Sequence, residues 1–161
     1  MRGVRRIGDQ SMKDDELYQG GCICRAIRYK VYGPPVMVAY CHCDDCRRSS
    51  GSVVSVLAGF QKGGYELIKG NPTYYEATPV AKRGFCKACG APLIYENRNF
   101  PENIYIQIGS FDEPEKLPPD RHTWVADRIY WHEIRDDLKQ YEKLSNDGLS
   151  GNTPPYEKPG G

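Results

Sequence analysis

The stretch GGCICRAIRYKVYG, residues 20–33, carries two signals at once. Its first half sets Cys22 and Cys24 two positions apart. Its second half alternates Ile27, Tyr29 and Val31 against Arg28, Lys30 and Tyr32. That period of two is the pattern of a strand with one buried face. Gly33, Pro34 and Pro35 then punctuate it as a turn. The CxC pair suits the same geometry, because residues i and i+2 of an extended segment lie on one face.

The rest of the chain repeats this grammar. Short segments rich in β-branched and aromatic residues occur at 53–60, 65–70, 73–77, 91–96, 103–109 and 123–131. Turn signals divide them, with Gly-Gly at 63, Gly-Asn-Pro at 70 and Phe-Pro-Glu-Asn at 100. Many short strands with frequent turns predict a mainly β protein built of antiparallel sheets. A helical spacing of Ile134, Leu138 and Tyr141 predicts one short C-terminal helix over 131–144. Residues 1–15 are polar and aperiodic, and 145–161 are rich in Gly, Pro, Ser and Asn. The expected organisation is a disordered leader at 1–15, a folded domain at 16–144 and a flexible tail at 145–161.

Bulk composition excludes several classes. The 161 residues are the size of one domain, and 22 basic against 21 acidic side chains leave a net charge of +1. Such a balance offers no electrostatic footprint for nucleic acid or an anionic membrane. No apolar run is long enough to suggest a membrane span, and no apolar segment follows the basic N-terminus as in a secretory signal. The expected location is therefore the reducing cytoplasm. Seven cysteines there, an odd number, do not read as a disulfide framework.

The seven thiols fall into three groups: Cys22 and Cys24 as CxC, Cys41, Cys43 and Cys46 as CxCxxC, and Cys86 and Cys89 as CxxC followed by Gly90. Thiolates select zinc over hard cations, and the spacings do not match the common iron–sulfur runs. Seven ligands make one closed site of four and one open site of three. Cys22, Cys24, Cys86 and Cys89 can close a structural site, leaving Cys41, Cys43 and Cys46 as the open one. Alternatively Cys43 and Cys46 pair with Cys86 and Cys89, leaving Cys22, Cys24 and Cys41. Spacing alone does not decide, but the first grouping needs no distant ligand for the trio and is preferred. A zinc with three protein ligands keeps a position for water or substrate. The competing reading completes the trio with a histidine. His42 points to the opposite face if its stretch is extended, whereas His122 and His132 are distant in sequence.

The motifs in this order resemble the glutathione-dependent formaldehyde-activating enzyme family, which includes the centromere protein V domain. The resemblance runs from about residue 18 to 143 and is carried by GGCICRAIRYKVYG, CHCDDCRRSSG, KRGFCKACGAPL, IGSFDEPEKLPPDRHTW and DRIYWHEI. It implies a β-tent fold and the first cysteine grouping, with a labile or catalytic zinc on Cys41, Cys43 and Cys46. It implies carbon–sulfur lyase chemistry on a glutathione or related thiol–aldehyde adduct such as S-hydroxymethylglutathione, with a small-molecule thiol as partner. The family pattern usually has glycine after the first CxC, where this chain has Arg25. The alternative functions are a non-catalytic zinc-stabilised binding module and a thiol or metal redox sensor.

Among other side chains, Arg47 and Arg48 are candidates to hold a substrate carboxylate through bidentate hydrogen bonds. Ser49, Ser50 and Gly51 read as a turn. Arg83 is expected to be a surface strand charge and His122 a hydrogen-bonded residue at a strand start. Asp112 is expected in a turn or cap, and Trp124 and Trp131 in the core.

Overall fold

The structure is a computed structural model and describes residues 16–144. The expected leader and tail lie outside the described residues. The described chain is mainly β. Its strands are β1 (Leu17–Gly21), β2 (Arg28–Tyr32), β3 (Met37–Cys41), β4 (Ser55–Gln61), β5 (Tyr65–Lys69), β6 (Thr73–Glu76), β7 (Ala81–Phe85), β8 (Pro92–Asn97), β9 (Asn103–Gln107), β10 (Arg121–Thr123) and β11 (Lys139–Gln140). One helix, α1 (Asp44–Ser50), follows β3. A small antiparallel sheet has the order β1-β2-β5, and a large one β11-β10-β3-β4-β9-β8-β7-β6. The large sheet is antiparallel except at β10, which runs parallel to β3 and to β11.

The period of two decides what each face carries. Ile27, Tyr29 and Val31 join Val38, Ala58, Phe60, Ile104 and Ile106 in the core that unites the two sheets. The intervening residues Met37, Ala39, Cys41, Leu57 and Tyr105 form a second cluster with Trp124 and Cys46. Strands β3, β4 and β9 are therefore covered on both faces. This is why residues 103–106 of β9 are buried without a break.

Two expectations are corrected. No helix forms at 131–144. That segment is irregular, with a turn and bends, and only its residues 139–140 form a strand, β11. Asp136 accepts a hydrogen bond from the Leu138 N–H at 3.0 Å, a local bond that competes with helix formation. The Tyr141 N–H donates to the His122 carbonyl and the Trp124 N–H to the Lys143 carbonyl, so tertiary pairing takes the backbone groups. The expected strand at 123–131 ends at Thr123. Trp124 adopts a left-handed φ of 58° and starts a short 3-10 turn. Trp131 is 58% exposed rather than in the core. No described helix is long and apolar enough to cross a membrane.

Candidate metal centres

Cys22 and Cys24 stand in the turn after β1, and Cys86 and Cys89 in the turn between β7 and β8. Their sulfurs all lie within 4.8 Å of one another. Cys22 Sγ is 3.5 Å from Cys24 Sγ, which is 3.8 Å from Cys86 Sγ. The group ties the small sheet to the large one. The alternative grouping of Cys43 and Cys46 with Cys86 and Cys89 is not formed. Gly90 takes a φ of +76°, and its N–H donates to the Cys86 carbonyl at 2.7 Å, closing the turn that aims both sulfurs inward. Arg25 also holds a left-handed φ, of +60°.

Four thiols this close resist shared ionisation. The Ala91 N–H holds Cys89 down to about 6. Cys24 has a lowering hydrogen bond from the Ala26 N–H, yet the neighbouring sulfur of Cys22 and its own desolvation push it up to about 11. A thiophilic dication relieves that conflict, and four sulfurs in a cluster are the donor set zinc takes.

The second group is built at the junction of β3 and α1. Cys41 ends β3, Cys43 caps α1, and Cys46 lies in its first turn. The Cys46 N–H donates to Cys43 Sγ at 3.3 Å. The three sulfurs lie within 4.8 Å of one another, with no fourth Cys, His, Asp or Glu ligand in the group among the described residues. Cys41 is pushed up by its contacts with Cys43 and Cys46, whereas Cys46 is held well down by hydrogen bonds from Cys41 and Cys43 and by Arg83. This donor set too fits a thiophilic cation.

No histidine completes the trio. His42 is 1% exposed and turns away from it. Its Nε2 is 2.9 Å from His122 Nδ1, and His122 Nε2 is 3.1 Å from both oxygens of Asp136. The Asp136 carboxylate accepts from His122 Nε2–H. Burial holds His42 down to about 4. The expected strand-borne hydrogen bonding of His122 is thus present. Asp112 lies in a turn as expected, and there it also makes a two-fold pair with Arg28 of β2.

The trio opens into a cavity of about 90 Å³. Trp124 lines it, as do Leu57 of β4, Tyr95 of β8, Tyr105 of β9 and Arg83 of β7. Arg83 is half-buried, and its guanidinium donates to Cys46 Sγ at 3.6 Å and lies 4.9 Å over the Tyr95 ring. It is not the surface charge the sequence suggested. The signal was weak: the AKRGF segment reads as polar, and Arg83 gains its place only through pairing opposite Tyr95. Arg47 and Arg48 instead both pair with Asp44 on α1, and neither lines the cavity. Ser49 and Ser50 end the helix, and Gly51 caps it with a φ of 68°.

Residues 17–127 match the family model described as glutathione-dependent formaldehyde-activating enzyme. An uncharacterized lyase of Schizosaccharomyces pombe is 28% identical over 111 residues, covering 69% of this chain and 80% of the relative. A putative glutathione-dependent formaldehyde-activating enzyme of Halomonas elongata is 26% identical over 127 residues, covering 73% and 81%. A crystal structure of a Rhodobacter sphaeroides protein superposes with a TM-score of 0.50 at 20% identity, covering 76% of this chain and 98% of that one. That likeness speaks to the fold alone.

Proposed function

The chain belongs to the glutathione-dependent formaldehyde-activating enzyme family, and on that premise we propose that it is a zinc-dependent carbon–sulfur lyase acting on a thiol–aldehyde adduct of the S-hydroxymethylglutathione kind. One observation carries the reading: three sulfurs converge without a fourth protein ligand among the described residues, at the wall of a cavity. Cys22, Cys24, Cys86 and Cys89 would hold a structural zinc, and Cys41, Cys43 and Cys46 an open and more labile one. A zinc on three thiolates supplies a free coordination position at which an outside thiol is favoured as thiolate.

The chain's own groups do the rest. The apolar walls exclude water and strengthen the electrostatic contacts inside. In adduct formation the sulfur electron pair attacks the carbonyl carbon, the C–S bond forms, and the thiol proton ends on the carbonyl oxygen. Cleavage runs the same steps backwards. Arg83 offers guanidinium N–H groups to the charge that builds on that oxygen. Asp45, on the cavity wall next to Cys46, is the carboxylate placed to carry the proton.

The test is zinc content per chain for the wild type and a Cys41/Cys43/Cys46 triple serine variant, each titrated with glutathione. Two zincs in the wild type, one in the folded variant, and a glutathione response only in the wild type are expected. Unchanged thiol–aldehyde turnover in Cys43→Ser sinks the catalytic role of the trio.

A further inference from the structure

The cavity beside the trio is poorly matched to a whole peptide thiol. Its lining is dominated by Met37, Leu57, Tyr95, Phe100, Tyr105 and Trp124. Arg83 is the single Lys or Arg, and Asp45 the single carboxylate, among the described residues that line it. Glutathione carries, besides its thiol, a pair of carboxylates and an ammonium group. Arg83 already donates to Cys46 Sγ at 3.6 Å and stacks on Tyr95. Burying both carboxylates against that one guanidinium, next to three sulfurs, leaves charge without a partner, which is costly.

The aldehyde-derived part of S-hydroxymethylglutathione is equally mismatched. It is a single carbon and leaves the apolar volume unfilled. Apolar walls with few convergent polar groups are the mark of a site for an apolar body. Trp124 adds an independent sign. It is a bulky residue held at a φ of 58°, with its N–H fixed by the Lys143 carbonyl at 2.9 Å, and it presents its side chain to this cavity. Backbone outliers of this kind persist where the surroundings enforce them and gather at ligand sites.

We propose that the cavity holds an apolar, ring-sized group of the substrate, so that the thiol–aldehyde adduct handled here carries an aromatic or branched aliphatic body beside its sulfur–carbon bond. Any peptide part of the thiol stays at the cavity mouth. This inference rests on the reading of the trio as a thiol-adduct site.

The test uses the full chain loaded with Co²⁺, whose thiolate and ligand-field absorption reports a thiol joining the trio. Three thiols are titrated separately: glutathione, ethanethiol and phenylmethanethiol. Phenylmethanethiol is expected to half-saturate the spectral change at a concentration roughly tenfold or more below the other two, the scale of one buried ring. If glutathione is as effective, or ethanethiol matches phenylmethanethiol, the inference is overturned while the thiol-site reading stands. If none of the three moves the spectrum, the thiol-site reading falls and takes the inference with it.

Discussion

Arg25 follows Cys24 in the first metal-binding turn with a φ of +60°. In that region the Cβ of an L-residue crowds the next carbonyl, at a cost of about 1–2 kcal/mol. The side chain is exposed, and the Arg25 N–H closes the turn by donating to the Cys22 carbonyl at 3.0 Å. Arg25→Gly removes the crowding but loosens the unfolded chain, which offsets about 0.4–1 kcal/mol. The net expectation is stabilisation by about 0.5–1 kcal/mol, or roughly 2–4 °C in the unfolding midpoint of a domain this size. Arg25→Ala is the control. It keeps the strained φ and loses the same weak pull of the guanidinium on Asp112. Thermal unfolding followed by circular dichroism at matched zinc content should place glycine above the wild type and alanine at or just below it. A glycine variant no more stable than the alanine variant would refute the claim that this turn is strained.

Cys22→Ser opens the site that ties the small sheet to the large one, and should lower stability by at least about 3 kcal/mol or prevent cooperative folding; zinc analysis and unfolding in parallel check it. Arg83→Met keeps the length of the side chain and removes the guanidinium beside Cys46. It should cut lyase turnover by about 10²-fold with a stability change within about 1 kcal/mol, and Arg83→Lys should recover part of the rate. Glu96 is buried, which raises its pKa, but Lys62 at 2.6 Å and Lys82 at 2.8 Å outweigh that and hold it below the ordinary value of 4.5. A depressed carboxylate contributes stability above the unfolded value and loses it as pH falls through the folded one. Glu96→Gln should therefore cost about 1–2 kcal/mol at pH 7 and flatten the loss of stability below about pH 4.5, as read by denaturant unfolding across pH.

The mainly β class was legible in the sequence because alternation is a local property. The segments at 53–60, 65–70, 73–77, 91–96 and 103–109 each contain most of an observed strand. Strand β7 was not legible, because Ala81–Phe85 carries a charged residue on each face, Arg83 toward the cavity and Lys82 toward Glu96, and so lacks apolar alternation. The helical spacing at 131–144 was a coincidence of composition, overridden by pairing with β10 and by the side chain of Asp136. In the site, the cysteine groups were readable from spacing and resemblance. Arg83 was not, since its role comes from contacts with Cys46 and Tyr95, which are distant in sequence. Arg47 and Arg48 drew attention by adjacency, yet Asp44, three and four residues before them, is their partner on the helix.

The CxCxxC spacing itself encodes the junction that makes the second centre. A strand alone places only residues i and i+2 on one face, which suffices for Cys41 and Cys43. Bringing a third sulfur within reach requires the chain to leave the strand, and a helical turn sets i and i+3 side by side. Cys43 is where the two geometries meet: it continues the face of β3 and caps α1, accepting from the Cys46 N–H. The register of β3 then becomes a condition for chemistry. Pairing of Met37 with Gly59, Ala39 with Leu57 and Cys41 with Ser55 directs the odd-numbered side chains to the cavity. A slip of one residue would send Tyr40 and His42 there and turn the first thiol away. The hydrogen-bonded chain from buried His42 through buried His122 to the exposed Asp136 fixes the even-numbered face. Such a slip would thus strand buried polar groups as well as dismantle the trio, so packing and the candidate metal centre enforce the same register.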